Sequence, residues 1–338
     1  MDQLIEFGVF SGKLLIVFLF IMALVLLVAT LIMKQKLKPD LIIENINEKL
    51  DELEQTLKST LLDKKELKNY LKEQKKKLKD KESESKKTPC LFVLEFKGDI
   101  HAHAVKELRD EVTAVLTVAN PDDEVLVTIE SPGGTVHGYG LAAAQLIRVK
   151  DAGLKLTACV DLVAASGGYM MACTAHKIIA APFSIIGSIG VLAQVPNFHK
   201  LLKKNDVDYE EISSGEYKRT VSILGEITEK GRAKFQEQIV DTHALFKDFV
   251  GSSRPQTDMS KVATGEYWYG VRAKELNLVD ELMTSDQYLL SRKTDAKIFK
   301  IKYQAKKSMS EKISDVLGHA AVRATDRITE KLMETPRL

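Results

Sequence analysis

Ser166 stands between two alanines and two glycines in VAASGGYMMA, residues 163–172, just ahead of an apolar, helix-like run. Small neighbours are poor packing material, but they clear space around a hydroxyl. A nucleophilic serine needs exposure on a tight turn, a base within hydrogen-bond reach, and donors for the developing oxyanion. A strand-to-helix junction offers free N–H groups and partial positive charge. Gly167 and Gly168 let a substrate backbone come close. The segment equally suits a serine that merely caps a helix. It is not the G-x-S-x-G elbow, because Ala164 holds the first glycine position.

A second element is ESPGGTV, residues 130–136. Pro132 constrains the chain, and Gly133-Gly134 can turn two backbone N–H groups into one concavity at the end of a strand. An ordinary Pro-Gly turn has the same sequence. For a base there are three candidates. His137 and His176 are nearest in sequence to these loops, and Lys218 lies in SSGEYKRT beside Arg219. Lysine accepts a proton only where burial or a neighbouring cation favours its neutral form. Each of the three also reads as a surface side chain.

These residues need a frame, and alternating patterns from Cys90 onward supply one. Strands are predicted over 91–96, 124–130, 154–160 and 177–181. Helices are predicted over 103–118, 136–150, 228–249 and 270–276, with a helical tail over 310–333. In the second of these helices Tyr139, Ala143, Leu146 and Ile147 share one face, with Gln145 and Arg148 on the other. Strand–helix alternation implies a parallel sheet with right-handed crossovers. Ile185 to Val195 is apolar, but too short for a membrane span and interrupted by Gly187, Gly190 and Gln194, so it is read as buried core.

The N-terminal region, up to Pro89, differs. Leu14 to Met33 is 20 residues without a charge, roughly 30 Å as a helix, the thickness of a bilayer's hydrocarbon. It is followed by Lys34, Lys36 and Lys38 with no cleavage signal, which predicts an uncleaved anchor. Those lysines, with Lys49, outnumber Lys13 and point the bulk of the chain to the cytoplasm. Between Pro39 and Pro89 charge is dense and glycine absent; Ile43, Ile46, Leu50, Leu53 and Leu57 form a short coiled-coil seam. The basic run Lys72 to Lys81 admits a solvated helix face or contact with anionic headgroups. The predicted organisation is a membrane anchor over 1–38, a charged helical stalk and linker over 39–88, a head over 89–304 and a helical tail over 305–338.

The whole chain of 338 residues is 45% apolar with a formal charge of +2, which supports one sizeable core and gives no reason to expect nucleic acid. Cys90, Cys159 and Cys173 have no metal-ligand spacing; Cys159 and Cys173 read as buried thiols.

Taken together and in order, SPGGTVHG, VAASGGYMMAC, IIGSIGVLAQ and SSGEYKRT resemble the signal peptide peptidase A family of serine proteases; with the span and stalk, they resemble its SohB-like branch. The match covers about 91–285. The resemblance implies an α/β head of the ClpP/crotonase type, built of repeated β-β-α units. It implies a membrane-anchored serine endopeptidase with a Ser-Lys dyad, cleaving peptides or membrane-protein remnants such as signal peptides. Ser166 would be the nucleophile and Lys218 the base, with Gly133, Gly134 and Gly167 around the oxyanion and Ser188 of GSIG orienting the lysine. Residues 264–282 resemble the family's closing motif, with Asn277 where the family usually has glycine. The expected partners are a peptide or protein substrate, the bilayer through residues 14–33 and further copies of the chain, with no metal or cofactor. The resemblance favours the bacterial inner membrane with the head on its periplasmic side, against the lysine distribution. Two other classes remain open: a crotonase-type acyl-CoA enzyme and a non-catalytic oligomeric membrane scaffold.

Overall fold

The computed structural model describes residues 13, 16, 18–22, 41–83 and 88–304. The chain separates into two units, one of Met1–Ile42 with Gln304–Leu338 and one of Ile43–Tyr303. In the first, residues 18–22 are helical and exposed. Among the described residues no helix is long and apolar enough to cross a membrane. Most of the anticipated span over 14–33, and the tail over 305–338, lie outside the described residues.

The second unit is built on seven strands: β1 (Leu41–Asn45), β2 (Cys90–Lys97), β3 (Glu124–Glu130), β4 (Lys155–Val160), β6 (Lys177–Ala180), β9 (Glu281–Leu282) and β10 (Lys297–Tyr303). Their spatial order is β1-β10-β2-β3-β4-β6-β9. The pairs from β10 to β9 are all parallel. Leu91–Leu94 of β2 and Glu124–Val127 of β3 are buried without a break, as expected of parallel strands covered on both faces. The predicted strands over 91–96, 124–130, 154–160 and 177–181 correspond to β2, β3, β4 and β6. Helix α3 (Val105–Leu116) packs against α4 (Val136–Asp151), and α4 against the short α5 (Gly167–Ala172). Beyond them lie α6 (His199–Lys204), α7 (Glu229–Ser253), α8 (Met259–Val262), α9 (Gly270–Glu275) and α10 (Ser285–Arg292).

A separate three-stranded sheet, β5 (Val163–Ala165), β7 (Ile185–Gly187) and β8 (Tyr267–Tyr269), is ordered β5-β7-β8. None of its strands was anticipated: at three residues each they are too short to show a period. This small sheet holds the serine turn.

Three readings need correction. Ile43 lies in β1, and Ile46 and Leu50 of α1 (Ile46–Leu61) pack on Leu91, Val93 and Ile298 of the main sheet. The start of the supposed coiled-coil seam is therefore part of the head's own core. A break at Leu62 separates α1 from α2 (Lys64–Ser83). Gln145 is buried, not on a solvent face, and accepts a hydrogen bond from Arg148 at 2.8 Å. Of the run 185–195, Ile186 and Ile189 are buried, but Leu192 is 79% exposed and Val195 is exposed too. Past β7 (Ile185–Gly187), residues 188–195 have no helix or strand that would fold them inward.

Two buried groups carry predictions. Glu111 of α3 is 4% exposed. It accepts the Tyr303 N–H at 2.8 Å, and its Oε2 has no partner. Desolvation, only partly offset by that hydrogen bond, raises its pKa to about 7; Glu107 and Glu95 raise it further and Lys302 lowers it. The folded state thus binds a proton that the unfolded chain, near the ordinary value, has already lost. Stability should be full below about pH 4.5 and fall as pH rises to about 7. Glu111→Gln should flatten this dependence and stabilise the protein by about 2 kcal/mol at pH 8. Urea midpoints of both proteins from pH 5 to 8.5 check it; parallel curves would contradict it.

Asn277 adopts φ 59°, the left-handed region that only glycine and, less readily, asparagine or aspartate occupy easily. Its carbonyl accepts bonds from Arg254 and Thr257, and Arg254 makes a bidentate pair with Asp280. The departure from glycine therefore keeps the backbone conformation. Asn277→Gly should change stability little, whereas Asn277→Ala should cost about 1 kcal/mol, read as a lowered thermal midpoint.

Candidate active site

Ser166 follows β5 and precedes α5. Its backbone is held at φ 52°, ψ −118°, a region sparsely populated by residues with a side chain. Two bonds hold it there: Ser166 N–H donates to Gly187 O at 2.7 Å, and Ser166 O accepts from Met170 N at 2.9 Å. Ser166 is partly exposed, while Ala164, Ala165, Gly167 and Gly168 are buried. The hydroxyl is thus the one polar side chain lifted from a strip of small buried residues.

The Ser131–Gly134 turn runs directly beside it. Ser131 N–H donates to Val163 O at 2.8 Å, and Ala165 N–H donates to Ser131 O at 3.0 Å, so the turn extends the small sheet past β5. Gly133 has φ 91°. A side chain there would come within 2.7 Å of Ser166 Cβ and 2.8 Å of Gly167 N. Glycine is required at this position by both conformation and space. The two glycines do not both offer amides, however. The Gly133 N–H is already donated to Ser131 Oγ at 3.1 Å. Among the described residues, the Gly134 and Gly167 amides have no acceptor.

Ser188 is placed by strand register. β5 and β7 are parallel, with Ala165 opposite Gly187, so Ser166 and Ser188 are the next residues on neighbouring strands. Both have positive φ, 52° and 51°. Ser188 N–H is tied to Glu266 O at 2.7 Å. His243 of α7, not singled out from the sequence, points its Nε2 at Ile189 O, 3.2 Å away. No local signal marks it, since its neighbour is 54 residues distant.

Of the three candidate bases, His176 is tied to the far end of the sheet. Its Nδ1 accepts the Leu156 N–H at 3.1 Å, at the amino end of β4, whereas Ser166 follows the carboxyl end. His137 is exposed. Lys218 is exposed on the long loop between α6 and α7, and its N–H closes a turn onto Gly215 O at 3.1 Å. Its neighbours are paired: Arg219 with Glu211 at 2.8 Å, and Glu216 with Lys230. Lys218 has no ion pair among the described residues, and within this single chain no hydrogen bond joins it to Ser166 or Ser188. The structure thus brings Ser166, Gly133, Gly134, Gly167 and Ser188 together, with Lys218 on a separate solvent-facing loop.

Both buried cysteines behave as small hydrophobes: Cys159 and Cys173 are free and inaccessible, and burial pushes the Cys173 thiol up to about 12.

Residues 2–146 match the model of the peptidase family S49 N-terminal region, and residues 148–298 match peptidase family S49 itself. A protein from Haemophilus influenzae named "Probable protease SohB" is 46% identical over 98% of this chain and 97% of its own length. One of the same name from Buchnera aphidicola subsp. Acyrthosiphon pisum is 49% identical over 68% of each. "Protease 4" of Haemophilus influenzae is 29% identical over 51% of this chain and 29% of its own length.

Proposed function

The chain belongs to peptidase family S49, and on that premise we propose that it is a membrane-anchored serine endopeptidase with Ser166 as nucleophile and Lys218 as general base. The observation that carries the reading is the strained, partly exposed Ser166 packed against Gly133. Neutral Lys218 takes the proton of Ser166 Oγ as the oxygen adds to the scissile carbonyl carbon. The Gly134 and Gly167 amides receive the oxyanion. The lysine then gives the proton to the leaving amine, and water releases the acyl group from Ser166 by the same steps in reverse order. Ser188 orients the lysine.

Lys218 is exposed in the single chain, and a lysine base needs burial or a neighbouring cation around it. A neighbouring copy of the chain is the source we favour. Support comes from exposed apolar side chains on the stretch that carries Lys218, including Leu192, Leu201, Ile212 and Ile223; such patches mark contact surfaces. Identical subunits anchored in one orientation suit a cyclic assembly. We place the head in the ClpP/crotonase class, which the small sheet beside the main parallel one supports. Residues 14–33 would anchor it in a bacterial inner membrane. The head would sit on the periplasmic face, since long domains translocate regardless of flanking lysines.

The substrate would be an extended peptide with small or apolar side chains at the cut, because small buried residues surround Ser166. Peptides and membrane-protein remnants such as signal peptides fit that chemistry. The direct test is a fluorophosphonate probe on the full chain. Labelling of the wild type that is lost in Ser166→Ala supports the reading, and equal labelling of both overturns it.

A further inference from the structure

We propose that Tyr139 is a positioning residue that sets both oxyanion donors, one through a hydrogen-bond chain of fixed direction from the Gly133 amide to the Asp99 carbonyl, the other through its ring beneath Gly167. The proposal rests on Ser166 being the nucleophile and deepens that reading.

Tyr139 on α4 and Ser131 at the end of β3 are both fully buried. Tyr139 Oη bonds to Asp99 O at 2.8 Å and also to Ser131 Oγ. A phenol has one proton, and a carbonyl can only accept. Tyr139 therefore donates to Asp99 O, and Ser131 must donate to Tyr139. The lone pairs of Ser131 Oγ are then left to accept the Gly133 N–H at 3.1 Å. Each link has one direction: Gly133 to Ser131, Ser131 to Tyr139, Tyr139 to the Asp99 carbonyl.

This chain occupies the Gly133 amide and leaves Gly134 as the turn's free donor. The same residue acts on the second donor through its ring. A side chain at Gly167 would run into Tyr139 Cγ, so the ring is the floor beneath the residue after the nucleophile. Gly98 is shaped to the same chain: a side chain there would collide with Tyr139 Oη and lie 2.6 Å from Ser131 Oγ. One buried tyrosine thus touches the turn with its oxygen and the Gly167 backbone with its ring. A phenylalanine would fill the space, yet leave Ser131 free to rotate and the Asp99 carbonyl with the Ala102 N–H as its remaining donor.

The test uses the full-length chain in detergent, with Tyr139→Phe, Ser131→Ala and the double variant. Each is measured for kcat and KM on one apolar peptide, for inhibition by a peptide aldehyde and by the matching alcohol, and for its thermal midpoint. The aldehyde forms a tetrahedral adduct whose oxygen uses the two amides; the alcohol binds without one. We expect kcat to fall roughly ten- to hundredfold in each single variant, with KM within about twofold. Aldehyde inhibition should weaken by a similar factor while the alcohol is unaffected. The double variant should be no worse than the poorer single one, because both break the same chain. Wild-type kcat in either folded single variant, multiplying losses, or equal weakening of aldehyde and alcohol would overturn the proposal. If Tyr139→Phe fails to fold, Ser131→Ala carries the comparison alone. Ser166→Ala is run alongside. Hydrolysis surviving in it would sink the nucleophile assignment; its loss, with Tyr139→Phe fully active, would sink only the positioning role.

Discussion

Ser166→Ala should abolish hydrolysis of casein and of short apolar peptides while the protein stays folded. The substitution removes one oxygen from a partly exposed side chain. The two backbone bonds that hold residue 166 are untouched, because they use its N–H and carbonyl. Alanine meets the same backbone strain at φ 52° as serine does, so the thermal midpoint should move little. Loss of a nucleophile commonly costs several orders of magnitude in kcat, on the order of 10⁴-fold or more. Residual turnover would come from the oxyanion donors acting on water. A purified Ser166→Ala protein cleaving at the wild-type rate would remove the serine from the mechanism. Bound acyl-CoA in such a protein would move the reading to the crotonase-type class.

The second large effect belongs to Lys218. Lys218→Ala and Lys218→Arg should both be inactive, each losing about three orders of magnitude or more in kcat. Guanidinium stays protonated at any usable pH, so arginine keeps the length and charge but cannot take a proton. Wild-type activity should rise with pH, because only the neutral amine is a base. Neither substitution should disturb the head. Lys218 is exposed and unpaired among the described residues, and the local ion pairs are made by Arg219 and Glu216 instead. Mixing Ser166→Ala with Lys218→Ala subunits then locates the dyad. Recovered activity places the two groups on different subunits. No recovery after verified subunit exchange confines them to one chain. An active Lys218→Arg enzyme would shift the base elsewhere, and His243, close to Ser188 through Ile189, would be the next residue to replace.

Much of the frame is legible in the sequence because it depends on neighbours. Glu124–Glu130 reads as a strand from its valines, leucine, threonine and isoleucine closed by Ser-Pro-Gly-Gly, and it is one. The helix over 136–150 is correct to within a residue, since Tyr139, Ala143 and Leu146 recur at helical spacing and all are buried. Asn277 is equally readable, because a left-handed turn selects glycine or asparagine by local sterics alone. Where the pattern misleads, an outside contact has won. Ile46 and Leu50 repeat as a coiled-coil seam would, but the main sheet covers them. Gln145 is polar and yet buried, because Arg148 satisfies it there.

The same division runs through the site. Through the resemblance of four motifs in order, the sequence ties a serine among small residues, a glycine turn and a lysine loop to one peptidase family. Local reasoning stops at the direction of each amide. The sequence offers Gly133 and Gly134 as equal donors, and only the folded chain shows that Ser131 has taken the first. That assignment depends on Tyr139, eight residues on, and on a carbonyl forty residues before it. The pairing of Ser166 with Ser188 likewise needs the β5–β7 register, between strands too short to announce themselves. Backbone periodicity is written in adjacent residues, because it reports which side of an element is covered. A hydrogen bond's partner is set by which segments meet in space, and that is settled only when the sheets close.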